Sequence, residues 1–276
     1  MNITSLAKKP YTYAKRRMHY MRHRKQLPIS WTEYARLSKF DQGYRGDETA
    51  QLDEKKIRFS SPFWFIHSVN EIFVEEVYRV KLDSRQPVII DCGSNIGLSV
   101  LYFKKQSPDA KLIAFEADPS VYEQLKHNIE QFHLTDVELV NAAVWDSKTQ
   151  LSFASEGSVG GKLGDSGVDG ARTIQVPTIR LRDYLNTPVD FLKIDIEGAE
   201  YNVLRDCKDQ LANVKYLFVE YHSFKEDKPN LHEILTWIAD AGFTYYIREA
   251  WNNMEYPYLK EYNAYYQMQL NIFCYR

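Results

Sequence analysis

The chain reads as an α/β protein built on a mostly parallel sheet with helices on both faces. Three observations predict this. From Val88 onward, short β-branched apolar runs alternate with amphipathic stretches of helical length. The segment Asp91-Cys-Gly93-Ser94-Asn95-Ile-Gly97 interrupts the first of these transitions, where a buried strand passes into a helix. The last two strand-like runs have no helix between them, which predicts an antiparallel pair at the end.

The elements follow in order. Residues 1–30 carry eight Lys and Arg and no acid, so the otherwise ordinary net charge of −2 hides a basic arm and an acidic remainder. Tyr13 to Lys25 lacks Gly and Pro and is predicted to be helical. Pro28 and Ser30 mark a break and a new helix start near Trp31. Residues 39–60 are polar with two glycines and read as loop, and Phe63 to Val80 reads as a strand followed by a helix. The core strands are predicted at 88–92, 111–117, 137–144, 190–196, 215–222, 243–250 and 269–276, with helices at 96–106, 119–132 and 231–241. Between them, Gln150 to Thr178 holds six glycines flanked by alternating segments, a hairpin whose tip is either a plain insertion or a flap over a site. The organisation expected is an N-terminal basic, partly helical extension (1–62) followed by one catalytic-size domain (63–276), with the glycine-rich flap at 150–178 inside it.

Several classes are disfavoured. Cys92, Cys207 and Cys274 form no CxxC and no Cys/His cluster, which argues against a disulfide framework and a structural zinc site. No run approaches the length of a membrane span and no secretory h-region follows the N-terminal cations, so a cytoplasmic location is expected.

Glycines at a strand-to-helix turn let the backbone approach a ligand closely. Glu116 ends the next strand, where an acid can accept hydrogen bonds from both hydroxyls of a ribose. Asn95 replaces the second glycine of a dinucleotide fingerprint, and Asp91 directly before the turn would repel a pyrophosphate, so the pair fits a nucleoside ligand bearing an amino group and a sulfonium. Further on, alternation places Lys193, Asp195 and Glu197 on one side of the fourth strand's end. These acids have three open readings: divalent-metal ligands together with Glu220, contacts to a cofactor amino group and an acceptor hydroxyl, or caps for the helix starting near Ala199. Glu220 and His222 share a face at the end of the fifth strand. His222, at its ordinary near-neutral pKa, is the first candidate for a general base, with Glu220 and Asp195 as alternatives.

The segments VIIDCGSNIGLSVLYF, AFEADP, NAAVWD and FLKIDIEGAE resemble the motifs of the FkbM family of S-adenosylmethionine-dependent methyltransferases, over roughly residues 65–250. The resemblance implies a class I, Rossmann-like methyltransferase fold with a seven-stranded sheet, and methylation of hydroxyl groups on sugars, glycans or natural products. It implies S-adenosylmethionine as cofactor, with Asp91, Gly93, Ser94, Asn95 and Gly97 around its methionine end, Glu116 and Ala117 at the ribose, Asn141 and Ala142 near the adenine, and Asp195 beside the transferred group. Ala117 departs from the proline common there in the family. The metal reading would add Mg²⁺.

Partners divide in the same way. A small-molecule or glycan acceptor is expected, and the late tyrosines (Tyr245, Tyr246, Tyr256, Tyr258, Tyr262, Tyr265, Tyr266) suit saccharide stacking, core packing or a homo-oligomer interface equally. The basic arm suits a solvated or subunit-contacting helix, an anionic or lipid-linked acceptor, or nucleic acid. The last is disfavoured, because KIDIEGAE stands where base-methylating enzymes carry an Asn/Asp-Pro-Pro-aromatic signature. A nucleoside-binding module without catalysis is the remaining rival, and Asp91, Glu116, Asp195 and His222 together speak against it.

Overall fold

The computed structural model describes residues 3–155, 162–163, 172–225, 228, 230–262 and 266–276, with the side chains of 3–12, 154–155, 162–163, 172 and 262 left out. The glycines expected at the flap tip (157, 160, 161, 164, 167 and 170) and Tyr265 lie outside the described residues.

The helices are α1 (Ile3–His23), α2 (Trp31–Leu37), α3 (Pro62–Val69), α4 (Leu98–Gln106), α5 (Pro119–Gln131), α6 (Glu200–Cys207) and α7 (Leu231–Asp240). The strands are β1 (Glu48–Leu52), β2 (Lys55–Phe59), β3 (Val88–Cys92), β4 (Lys111–Glu116), β5 (Val137–Asn141), β6 (Ala143–Trp145), β7 (Gln150–Ser155), β8 (Lys162–Leu163), β9 (Arg172–Arg180), β10 (Val189–Ile194), β11 (Val214–Phe224), β12 (Thr244–Trp251), β13 (Met254–Tyr256), β14 (Glu261–Tyr262) and β15 (Tyr266–Tyr275). The seven-stranded sheet has the order β12-β15-β11-β10-β3-β4-β5. Its pairs from β11 to β5 are parallel, and β15 runs antiparallel to both β11 and β12. The expected seven-stranded, mostly parallel Rossmann-like sheet of a class I methyltransferase is therefore the one formed.

Strand order reverses between β3 and β10: the chain winds outward through β4 and β5, then returns to pair β10 with the other side of β3. Ligands bind at such a switch point, outside the carboxyl ends of the strands. Ile89, Leu112 and Phe218 face one core, which is shared with Leu37, Ile57, Phe65 and Tyr78 from the N-terminal region. Ile90, Leu192 and Val219 face the other, with Val203 and Leu204 of α6 and Ile238 of α7. Residues 27–80 thus cover the first face of the sheet.

Three expectations need correction. The 39–60 segment is not all loop: β1 and β2 form a hairpin with Ala50↔Ile57 in register. Its turn is Asp53-Glu54, both left-handed (φ 43° and 67°), so it carries no glycine, and the alternation of Ala50, Leu52, Ile57 and Phe59 is its only signal. Phe63–Val80 begins as a helix rather than a strand, started by Pro62 in the first turn, and runs into a π-helix at Asn70–Val74. The strand expected over 137–144 divides: β5 stays in the main sheet while β6 joins β9 in a four-stranded sheet with β7 and β8. Elsewhere the hairpin flanks of the flap, the Ser30 cap on α2 (its Oγ accepts from Glu33 N at 3.2 Å) and the Asp118-Pro119 start of α5 form as expected. All three cysteines are buried and free. Among the described residues no helix is long and apolar enough to cross a membrane.

Candidate active site

The site lies where β3, β4, β10 and β11 end together. Its first half is the glycine turn. Gly93 (φ 85°), Asn95 (φ 47°) and Gly97 (φ 92°) all sit in left-handed backbone. At Gly93 the constraint is also spatial: a Cβ there would lie 1.8 Å from the Asp195 carbonyl oxygen, so the turn and the end of β10 touch backbone to backbone.

The N–H groups of this turn are already occupied. Gly93 and Ser94 both donate to the Phe115 carbonyl (3.0 and 2.9 Å), and Gly97 donates to the Ser94 carbonyl (2.9 Å). Ile96 donates to the Asn95 side chain (2.8 Å), and Asn95 donates to Glu116 Oε2 (2.9 Å). A pyrophosphate needs such groups free to bind it. The turn's own N–H groups are thus committed to the protein, and it offers a ligand close approach rather than donors.

Glu116 takes a second backbone bond from Asp118 N at 2.9 Å, and burial pushes its carboxyl up to about 7. Each oxygen accepts one backbone N–H and keeps a further lone pair for a ligand. Asn141 Nδ2 donates to the carbonyls of Glu116 and Ala117 (2.9 and 3.3 Å), so it braces the end of β4, and Ala142 is buried beside it. Asp91 is fully buried beneath the turn, where Oδ2 accepts from Ser99 Oγ at 2.5 Å and Oδ1 lies 3.2 Å from Lys193 Nζ.

Lys193 joins the two halves. Its ammonium is buried, 3.2 Å from Asp195 Oδ2 as well as from Asp91, and it donates to the Gly93 carbonyl at 2.9 Å. Burial opposes its charge, but Asp195 and Asp91 outweigh that and hold its pKa above the usual lysine range.

The second half is a crowd of carboxylates around one imidazole. His222 Nδ1 lies 3.1 Å from Glu200 Oε1, and Nε2 lies 3.4 Å from Glu197 Oε2 and 3.5 Å from Glu220 Oε1. The expectation of an ordinary near-neutral histidine does not match these surroundings. Burial lowers the imidazole pKa, but Glu197 and Glu200 and the bonds to Glu200 and Glu220 raise it further, to well above the usual value. The surrounding carboxylates thus favour the charged imidazole. Glu197 is pushed up to about 7 by burial despite His222, and Glu220 is raised by burial and then by Asp195.

Four participants take parts that the sequence does not assign. Glu200 is buried, accepts from the backbone N–H groups of Ile196 and Gly198, and so shapes the turn after β10 while orienting His222. Tyr266 donates to Glu197 Oε2 at 2.5 Å. Lys193 had been placed on the right face but given no partner. Glu71 comes from the π-helix, and burial, then Glu220 and Asp195, push its carboxyl up to about 8. π-helical turns often mark functional sites, and nothing in the periodicity of this segment announces one. Of the four, Lys193 and Glu200 stand in KIDIEGAE.

Asp195, Glu220 and His222 each present a ligand atom, all within 4.8 Å of one another, so this trio rather than Asp195, Glu197 and Glu220 has the spacing of a cation site among the described residues. Beside it, Glu220 pairs with Asn271, and Asn271 pairs in turn with Arg248. Asn271 is buried and its Oδ1 has no hydrogen-bond partner among the described residues. One row further, His222 pairs with Gln269 and Gln269 with Trp251. Trp251 meets Trp64 and His67 of α3, with centroids 5.9 and 5.3 Å away. These three half-buried rings form a shelf two strands from His222, about 10 Å at ordinary strand spacing. Of the late tyrosines with described side chains, Tyr245, Tyr246, Tyr256 and Tyr258 are exposed, and Tyr266 alone bonds to a site carboxylate.

The chain has relatives with known names. It is 28% identical over 209 residues to methyltransferase sdnD of Sordaria araneosa, covering 63% of this chain and 80% of that one. It is 26% identical over 162 residues to the 2-O-methyltransferase NoeI of Sinorhizobium fredii, covering 51% and 65%. It is 26% identical over 174 residues to the hexuronic acid methyltransferase AglP of Haloferax volcanii, covering 59% and 71%. The family model of the methyltransferase FkbM domain matches residues 91–245, which spans both halves of the site from Asp91 through His222 to the start of β12, and the chain belongs to the FkbM family of methyltransferases.

Proposed function

We propose that this methyltransferase uses S-adenosylmethionine to methylate a hydroxyl group of a saccharide or a glycosylated small molecule. The observation that carries the reading is the junction at Lys193, where a backbone turn suited to a nucleoside meets a buried carboxylate–imidazole cluster suited to moving a proton.

The residues present fit the cofactor. Gly93 lets the turn pack directly on the Asp195 carbonyl at the end of β10, Glu116 keeps acceptor capacity for ribose hydroxyls, and Asn141 with Ala142 lines the neighbouring strand end. Asp91 acts from beneath, by holding Lys193 and through it the Gly93 carbonyl. Asp195 borders the place where the methyl would lie. When bound, S-adenosylmethionine supplies an electrophilic methyl on a sulfonium.

The acceptor side supplies the base. Glu220, raised above the ordinary carboxylate range, takes the hydroxyl proton as the oxygen–carbon bond forms and the carbon–sulfur bond breaks. His222, already charged, positions Glu220 and Glu197 instead of acting as the base. Asp195 orients the hydroxyl, and most of the rate derives from alignment. The Trp64–His67–Trp251 shelf supports a ring-shaped acceptor, because sugars stack their C–H faces on aromatic rings. NoeI and AglP, by their names, act on a 2-O position and on a hexuronic acid. Asp195 and Glu220 offer Mg²⁺ oxygen ligands, whereas His222 would join them only for a cation that takes imidazole nitrogen and displaces its proton.

The test is calorimetric titration with S-adenosylhomocysteine, followed by a saccharide screen with isotopically labelled methyl donor, with and without EDTA. Micromolar binding that Glu116→Ala weakens at least about tenfold, the equivalent of ~1.4 kcal/mol, supports the cofactor half. A labelled O-methyl product supports the acceptor half, and its survival in EDTA would assign charge balance to Lys193 and His222 rather than to metal. No binding by folded wild-type protein would overturn the reading.

A further inference from the structure

The basic arm has two different faces. On its inner face, His19 Nε2 bonds to Asn70 Oδ1 at 2.8 Å, and Tyr20 donates to the Ile29 carbonyl at 3.0 Å while its ring meets Trp31 and Tyr34. These contacts fix the rotation of α1 against the body of the protein.

The outer face is then determined by the helical repeat of 100° per residue. Ala14, Met18 and Met21 fall along one line of the helix, opposite His19 and His23. Met18 is 65% exposed and Met21 48%. Lys15 and Arg22 lie along one flank of this line and Arg17 along the other, with Arg24 and Lys25 following the helix end. Residues 1–30 contain no acid to neutralise them.

Met18 and Met21 thus lie exposed between Lys15 and Arg22 on one side and Arg17, whose guanidinium sits over Trp31 at 5.3 Å, on the other, where they add little to folding. Nucleic acid would meet the cations but gain nothing from the methionines. A second copy of the chain would bring its own cations against these. A bilayer with anionic headgroups satisfies both features: the cations sit at the phosphates, and the thioether side chains enter the boundary beneath them. We propose that the outer face of α1 docks this protein on an anionic lipid surface. Asn70, the residue gripped by His19, opens the π-helix that carries Glu71 into the site, so the docked helix is bonded directly to the segment roofing the acceptor half. The proposal does not depend on which acceptor is methylated.

The full chain should be sedimented with vesicles of phosphatidylcholine alone and with vesicles containing phosphatidylglycerol as well. Sedimentation should require the anionic lipid and weaken with added salt. Met18→Ser with Met21→Ser should reduce the partition coefficient about fivefold, and Lys15→Glu with Arg22→Glu about tenfold or more. Both pairs are surface changes, so the melting temperature and S-adenosylhomocysteine affinity should match wild type. Absence of any difference between neutral and anionic vesicles, which needs no variant, overturns the proposal. Wild-type partitioning by the methionine variant, with release of the protein by duplex RNA, overturns it in favour of nucleic acid.

Discussion

The two halves of the site are built from different materials. Around Gly93–Gly97 the work is done by backbone: left-handed residues, occupied N–H groups and one carboxylate, Glu116, held by two peptide donors. Around His222 it is done by side chains: Glu197, Glu200 and Glu220 surround the imidazole, Asp195 pairs with the buried Lys193, and Glu220 and Asp195 raise the carboxyl of Glu71. A backbone site has one shape at any pH. A buried cluster of charges has an occupancy of protons that depends on pH and on what is bound. The half that recognises an invariant cofactor is fixed backbone with one raised carboxyl, Glu116, and the half that must exchange a proton holds several such groups.

Changes confined to one half should separate them. The largest effect is expected from His222→Ala. It leaves Glu197, Glu200 and Glu220 facing one another without their cation and should cost about 3–5 kcal/mol of stability. Urea denaturation measures the loss. Below the melting temperature, S-adenosylhomocysteine affinity should stay within about twofold of wild type, because Glu116 and the glycine turn do not touch the imidazole. Glu220→Gln should keep the fold and lose turnover about 10²-fold or more, the scale of a lost general base. Full turnover in that variant would place the base elsewhere.

Gly93→Ala should blur the separation. The new Cβ would collide with the Asp195 carbonyl oxygen, where the two halves touch, in a backbone conformation that alanine avoids. Strain and displacement together should cost about 3 kcal/mol. Unlike His222→Ala, this variant should lose S-adenosylhomocysteine binding and turnover together. A variant that binds normally would show that the halves are mechanically independent even at their contact.

This division also explains what the sequence discloses. The cofactor half is legible because backbone geometry leaves local marks: glycines at fixed offsets, an acid ending the next strand, apolar runs of strand length. Asp91, Gly93, Gly97 and Glu116 sit within a few residues of the element ends that place them. The acceptor half assembles across long separations. Tyr266 reaches Glu197 across 69 positions, and Lys193 reaches the Gly93 carbonyl across 100. Period-two alternation put Lys193, Asp195, Glu220 and His222 on the right faces, but it could not count how many acids would surround one histidine, and so it left His222 at an ordinary pKa. Glu71 has a second reason to stay unmarked, since the segment 63–80 reads as a strand followed by a helix and nothing in it signals the π-helix that turns Glu71 toward the sheet. The hairpin at Asp53-Glu54 was hidden by turn chemistry, because two acidic residues occupy left-handed positions where glycine or asparagine would have announced a turn.

A pH-dependent effect reads the acceptor half without disturbing its bonds. Glu71 titrates near 4.5 when free and is pushed up to about 8 in the folded chain, by burial and then by Glu220 and Asp195. Between those values the folded state binds a proton that the unfolded state has lost. This part of the stability is therefore full below about pH 4.5 and declines as pH rises through 8. Glu197, raised to about 7, and His222, raised well above its usual value, act in the same direction. Unliganded wild-type protein should thus melt at progressively lower temperature from pH 6 to pH 9. Glu71→Gln keeps the shape of the neutral acid and removes its ionisation. It should match wild type below about pH 4.5 and gain on it steadily up to pH 8, by about 1.4 kcal/mol for each pKa unit by which the fold raises Glu71. Thermal melts of both proteins across that range are the measurement. Parallel curves would mean that Glu71 carries its charge into the fold, and that a cation at Asp195, Glu220 and His222, rather than a proton on Glu71, keeps the acceptor half together.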